Sequence, residues 1–114
     1  MRVSLRQIVV DCREPSALVR FWAGVLGGEP VDRERGWAHV EAPGFGRLAF
    51  QPVPEDKAGK NRLHLDLAVD DVEAAARVAV GLGATRAGEL VRDDQGAFQT
   101  MRDPEGNEFC FVSA

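Results

Sequence analysis

The chain has 114 residues, with 14 basic and 18 acidic side chains, a formal net charge of −4 and no basic block, so nucleic acid and anionic membranes are excluded as electrostatic partners. A hydrophobic fraction of 45% suits one globular domain with a real core, and no apolar run approaches the ~20 residues of a membrane span. Cys12 and Cys110 are too few for a disulfide scaffold, and a cytoplasmic setting with free thiols is the expectation.

The N-terminus, Met1 to Gln7, lacks a signal-peptide core and leads into a strand expected near Val3 to Val10. A helix follows from about Pro15 to Leu26, where Leu18, Phe21, Trp22, Val25 and Leu26 recur at helical spacing. Pro15 suits its first turn and Gly27-Gly28 its end. Three short strands are expected near Glu29 to Arg33, Gly36 to Glu41 and Arg47 to Val53, with Pro43-Gly44 and Gly46 marking a turn. Residues 54–60 form a polar connector running up to Asn61. The order then repeats. A strand from Arg62 to Val69 leads to a helix from about Val72 to Leu82, its stripe made by Val72, Ala75, Ala76, Ala79 and Leu82. Asp70 followed three residues later by Glu73 reads as a capping box. Strands are expected near Thr85 to Leu90, Ala97 to Arg102 and Glu108 to Ser113, with Arg92 to Gly96 as a hairpin turn. Asp103-Pro104-Glu105-Gly106 forms the turn before the last strand, with Asp103 as turn-former. Val10-Asp11 and Leu26-Gly27 answer Val69-Asp70 and Leu82-Gly83, so two β-α-β-β-β modules, about 1–53 and 61–114, make up one domain spanning 1–114. The composition, rich in Ala, Val, Gly and Arg, points to a GC-rich bacterial genome.

Period-two alternation sorts each strand into an apolar face and a face bearing functional groups. If Ile8, Val10, Leu48 and Phe50 pack under a helix, Gln7, Val9, Ala49 and Gln51 face the other way. Leu63, Leu65, Leu67 and Val69 oppose Arg62, His64 and Asp66, and Phe109 and Phe111 oppose Glu108 and Cys110. If Ala38 and Val40 pack inward, Trp37, His39 and Glu41 join the polar face. The candidate ligand-binding residues are therefore Gln7, Trp37, His39, Gln51, His64, Asp66, Glu108 and Cys110. His64 reads equally as a ligand contact or as a hydrogen-bonding partner of Asp66, Gln7 or water. Cys110 reads as a small buried hydrophobe, or as a thiolate if a positive neighbour such as His64 is close. Trp37 is a platform for a flat ligand or an interface filler. Trp22 lies on the helical stripe and reads as core. Asp66 and Glu108 read also as solvated charges.

Phe21-Trp22-Ala23-Gly24-Val25-Leu26-Gly27, the Arg62–Asp71 segment and Asp103-Pro104-Glu105-Gly106 before the last strand together resemble the vicinal-oxygen-chelate superfamily, in its glyoxalase and bleomycin-resistance branch. The resemblance spans nearly the whole chain. It implies an α+β fold in which paired βαβββ modules curl eight strands into an open cup with helices outside. It also implies a homodimer, sometimes formed by exchange of halves. The superfamily holds metal-dependent isomerases, ring-cleaving dioxygenases, thiol transferases and metal-free drug-binding proteins, so the fold does not fix the function.

Metal-dependent relatives place His or Gln, Glu, His and Glu on four strands, and the matching positions here are Gln7, Gln51, His64 and Cys110. Both carboxylates are missing, so neither a metal nor another cofactor is expected. A metal would have to deprotonate Cys110 or recruit Asp66 or Glu108. The leading expectation is metal-independent binding of a small, partly aromatic or apolar molecule. The alternative is a metal-dependent lyase, isomerase or dioxygenase using His64, and a third reading is a module without activity of its own.

Overall fold

The computed structural model describes residues 1–113, which divide between Asp56 and Lys57 into two compact units. Each is a mixed sheet with one helix against it, so the α+β class stands as read; the β-α-β-β-β order holds in the first unit and gains one strand in the second.

The first unit contains β1 (Gln7–Cys12), α1 (Pro15–Leu26), β2 (Pro30–Asp32), a 3-10 turn at Glu34–Gly36, β3 (Ala38–Ala42) and β4 (Gly46–Pro52). Its sheet order is β1-β4-β3-β2, with β1 and β4 parallel and the other pairs antiparallel. Helix α1 packs on β2, β3 and β4 and buries Leu18, Val19, Phe21, Trp22 and Ala23. Phe21 and Trp22 meet edge to face with centroids 5.2 Å apart. Two adjacent glycines end the helix for different reasons. Gly27 takes φ 90° as the left-handed cap and donates its N–H to the Ala23 carbonyl. Gly28 lies so close to β3 that a Cβ there would sit 2.6 Å from the Glu41 carbonyl oxygen and from Val40 Cγ2.

The second unit contains β5 (Leu65–Ala68), α2 (Val72–Leu82), β6 (Thr85–Arg86), β7 (Val91–Asp93), β8 (Gly96–Arg102) and β9 (Glu108–Ser113). Its order is β5-β9-β8-β6, with β7 also on β8 and the β5–β9 pair parallel. Phe109 and Phe111 are buried while their neighbour Cys110 is partly exposed, as the alternation requires.

The structure corrects five readings. First, β1 begins at Gln7, because Gln7 opposite Arg47 is the first pair of the ladder; Val3 and Leu5 are each 81% exposed. Second, β5 begins at Leu65, not Arg62, and Leu63 is 68% exposed. Its partner β9 begins at Glu108, because the preceding Asn107 spends its N–H and side-chain amide on the Asp103 carboxylate.

Third, the strand expected over Thr85 to Leu90 is broken, so the described residues hold nine strands rather than eight. At the break Gly88 takes φ 93°, and the buried Gln99 side chain donates to its carbonyl at 3.0 Å. The chain then rejoins β8 as β7, within what was read as a hairpin turn. Fourth, Asp71 rather than Asp70 caps α2, accepting from the Ala74 N–H at 3.0 Å. Fifth, Leu82 is exposed rather than part of the packed stripe; α2 buries Val72, Ala76 and Ala79.

Candidate ligand-binding faces

Strand register places each candidate, because residues opposite one another in a ladder share a face. In the first unit Leu48 and Phe50 are buried on the helix side, and Ile8, Val10, Ala38 and Val40 are their cross-strand partners. The other face therefore carries three cross-strand rows. Gln7, Arg47 and Glu41 form one, Val9, Ala49 and His39 the next, and Asp11 and Gln51 a third at the Trp37 end of β3.

Arg47 Nε donates to Glu41 Oε2 at 2.8 Å, and His39 Nε2 lies 3.8 Å from the same oxygen. His39 is only 8% exposed, and its Nδ1 is buried without a hydrogen-bond partner among the described residues. Burial, reinforced by the positive charges of Arg47 and Arg33, holds its pKa below the usual histidine value, and Glu41 opposes them. Half-buried Trp37 lines an open cleft of ≈ 600 Å³ with Gln7, Arg33, Glu34 and Arg35. Gln7 and Gln51 are not brought together. Gln7 stands opposite Arg47, four residues before Gln51, a separation of about 13 Å along the strands.

In the second unit Leu65, Leu67, Phe109 and Phe111 are cross-strand partners on the helix side. The opposite face carries Asp66 beside Cys110, Cys110 beside Thr100, and Glu108 beside Arg102. His64 precedes β5 and reaches back, with Nε2 at 3.2 Å from Asp66 Oδ1. One ligating atom each from His64, Asp66 and Cys110 lie within 4.8 Å of one another. Thr100 Oγ1 sits 3.3 Å from Cys110 Sγ. Both members of the His64–Asp66 pair are more than half exposed, so it contributes little to stability.

Glu108 is not a solvated rim charge. Lys57 Nζ approaches its carboxylate at 3.2 Å, the Asn61 N–H donates to it at 3.4 Å, and Lys57 also donates to the Gly59 carbonyl. Burial works to raise the Glu108 pKa, yet the hydrogen bonds from Lys57 and the backbone and the Lys57 charge hold it below the usual carboxylate value. The end of the connector thus folds onto the second sheet instead of serving as a plain linker. Lys57, Gly59, Lys60, Arg86, Ala87, Gly88, Thr100, Arg102 and Glu108 line an open cleft of ≈ 640 Å³.

Sequence reasoning passed over Thr100, Arg102, Arg47 and the two lysines. The alternation of Thr100 and Arg102 with Met101 was a usable signal for the first two. No periodicity marks Lys57 or Lys60, which lie outside the strands.

The set of four metal positions implied by the family resemblance does not fit, because Gln7 and Gln51 are too far apart to share an ion. What the second unit offers instead is one nitrogen, one oxygen and one sulfur donor, a combination suited to a borderline-soft ion such as Zn²⁺.

Residues 7–112 match the profile of the glyoxalase-like domain. No curated protein matches the chain at a significant level. Among solved structures, a glyoxalase/bleomycin resistance protein/dioxygenase family enzyme from Burkholderia phytofirmans PsJN is similar with a TM-score of 0.83 and 19% identity, over 97% of this chain and 98% of that one. The genomically encoded fosfomycin resistance protein FosX from Listeria monocytogenes gives 0.80 at 13% identity, over 100% and 95%. A glyoxalase/bleomycin resistance protein from Albidiferax ferrireducens T118 gives 0.70 at 18% identity, over 96% and 98%. At these identities the likeness carries the fold.

Proposed function

The chain belongs to the glyoxalase-like domain family, within the vicinal-oxygen-chelate superfamily, and from that premise we propose that it binds a small, partly aromatic or apolar organic molecule without a metal ion. The observation that supports this is the segregation of each sheet into a helix-packed face and a face carrying hydrogen-bonding groups. Each polar face borders a cleft of ≈ 600 or ≈ 640 Å³, within the range that small ligands occupy. Trp37 supplies a flat apolar wall in one, and His39, Gln7 and Gln51 supply polar contacts on the same sheet. In the other, Thr100, Arg102 and Glu108 line the cleft, and Asp66 and Cys110, with His64 beside them, lie on the same sheet face.

A second reading rests on the meeting of His64, Asp66 and Cys110. A divalent ion there would make the protein a candidate lyase, isomerase or dioxygenase. Metal analysis of untagged protein, paired with a thermal-shift ligand screen in chelator, separates the two. Ligands that raise the melting temperature in chelator support the first reading. Stoichiometric ion that survives dialysis and disappears in His64→Ala overturns it in favour of the second.

A homodimer in the cytoplasm completes the proposal. Val78 and Leu82, one turn apart, are apolar and exposed on α2, and Cys12 and Cys110 are not joined in a disulfide, which suits a reducing compartment. Sedimentation showing only a 12.4 kDa species at micromolar concentration would remove the dimer.

A further inference from the structure

The reading that the polar face of the second sheet takes a small molecule underlies one further step, which concerns that molecule's charge. We propose that the cleft beside Thr100, Arg102 and Glu108 recognises an anionic headgroup, a carboxylate, phosphonate or phosphate, on a small organic ligand.

The lining is unbalanced. Lys57, Lys60, Arg86 and Arg102 face one carboxylate, Glu108, in a chain whose formal net charge is −4. Two of the four cations are already committed. Lys57 holds Glu108, with its Nζ 3.2 Å from one carboxylate oxygen and 3.3 Å from the other. Arg86 donates to Glu73 at 3.1 Å.

The other two are open. No ion pair or side-chain hydrogen bond engages Arg102 or Lys60 among the described residues, although Arg102 stands directly opposite Glu108 in the β8–β9 ladder. Glu108 is engaged by Lys57 and the Asn61 N–H, and no ion pair joins it to Arg102 among the described residues. The Lys57–Glu108 bridge thus offsets the one carboxylate of the lining with a cation of its own.

A planar guanidinium with an open fork matches a carboxylate or phosphate bidentately, and an ammonium beside it adds a mobile second donor. Thr100 Oγ1 adds a neutral hydroxyl at the boundary with Cys110. The anionic end of a ligand therefore belongs at Arg102 and Lys60, with the remainder of the molecule extending along the sheet face towards Cys110.

The test uses the whole chain, titrated by two-dimensional NMR with phenyl phosphate, benzoate and the neutral isostere benzamide at constant ionic strength. The expected result is saturable binding of the two anions, with shifts at residues 57–60 and 100–108 and weakening as salt is raised. In Arg102→Gln combined with Lys60→Gln the anions should bind about tenfold more weakly or worse, while benzamide is unaffected. Lys60→Gln alone, at an exposed connector position, should give a smaller loss in the same direction without disturbing the fold. Anions that bind the double variant as tightly as the parent overturn the inference. Benzamide binding the same face while neither anion does overturns it too, and leaves the underlying reading intact. If none of the three binds, both fall.

Discussion

The two units share a strand-helix-sheet plan, with one strand more in the second, and differ in how they fill it. In the first, the helix carries the bulk, since α1 buries Leu18, Val19, Phe21 and Trp22. In the second, α2 contributes Val72, Ala76 and Ala79, and the large side chains come from the sheet, as Met101, Phe109 and Phe111. A helix that presents alanine lets its backbone approach the sheet closely; one that presents tryptophan stands off and fills the gap. One topology thus accepts two distributions of volume, provided each interface is filled.

Mutation should expose this asymmetry. Trp22→Ala should cost about 3–5 kcal/mol in urea unfolding, as for other fully buried aromatics. Phe109→Ala should fall in the same range, because the second unit keeps its bulk there. In α2 the damaging change is addition: Ala76→Leu should cost about 1–3 kcal/mol by overpacking. Tolerance of Ala76→Leu, or a Trp22→Ala loss below about 1 kcal/mol, would break the comparison.

A second contrast lies in the turns. The β3–β4 turn closes with the Phe45 N–H on the Ala42 carbonyl, and the Phe45 side chain is 68% exposed. The β8–β9 turn is organised by Asp103, 4% exposed, whose carboxylate accepts from the Glu105 N–H, the Asn107 N–H and the Asn107 amide. Asp103→Ala should cost at least about 1.5–3 kcal/mol, the value of hydrogen bonds to one buried charged group. Phe45→Ala should stay within about 0.5 kcal/mol. Comparable losses at both turns would show that the Asp103 network is not what holds β9 in register.

Both helices were legible to the residue, because an apolar stripe at helical spacing met a proline start, or a glycine stop, with nothing competing. The face of each strand was legible for the same reason, since alternation survives errors at the ends. Strand ends were not. Val3 and Leu5 look like strand residues, but a ladder needs a partner, and in the parallel register residues 43–45, which would face them, are the β3–β4 turn. At the split between β6 and β7, Gly88 takes a positive φ and the Gln99 side chain reaches its carbonyl from eleven residues away in sequence, a contact that no local pattern carries. The site was half legible. His64, Asp66 and Cys110 meet because two strands pair in a particular register, and alternation alone gives the face but not the register. Gln7 and Gln51 share a face and lie rows apart for the same reason.

The units should also titrate apart. Glu108, in the second, has its folded pKa held below its unfolded value, so it stabilises the native state at neutral pH and that contribution fades as pH falls through the folded pKa. Glu108→Gln should be less stable than the parent at pH 7, and the gap should close only as the pH falls through the folded Glu108 pKa, which lies below the usual carboxylate value. A gap that persists at low pH would mean that Lys57 and Asn61 hold the side chain by geometry rather than by charge. Lys57→Gln should lose the same pH-dependent part.

The smallest expected effect belongs to His39, in the first unit, and runs in the same direction, with stability falling as the pH falls. Its folded pKa is depressed from 6.5 by burial and by Arg47 and Arg33, with Glu41 pulling the other way. Above about pH 6.5 the imidazole is neutral in both folded and unfolded chains and contributes no pH dependence. Below that value the unfolded chain takes up a proton that the folded chain resists, so stability declines as the solution is acidified, until the folded pKa is also passed. This window lies above that of Glu108, so mild acid should weaken the first unit before the carboxylate of the second begins to respond. His39→Gln removes the titration while keeping a polar side chain, and the variant should gain on the parent as pH falls from about 7 to 5.5. Arg47→Gln takes away one of the two positive charges and should soften the same slope without abolishing it. Urea unfolding at three pH values decides the matter: an identical slope in the parent and in His39→Gln would mean that the imidazole takes up a proton as readily in the fold as in the unfolded chain, with Glu41 cancelling both burial and the two arginines.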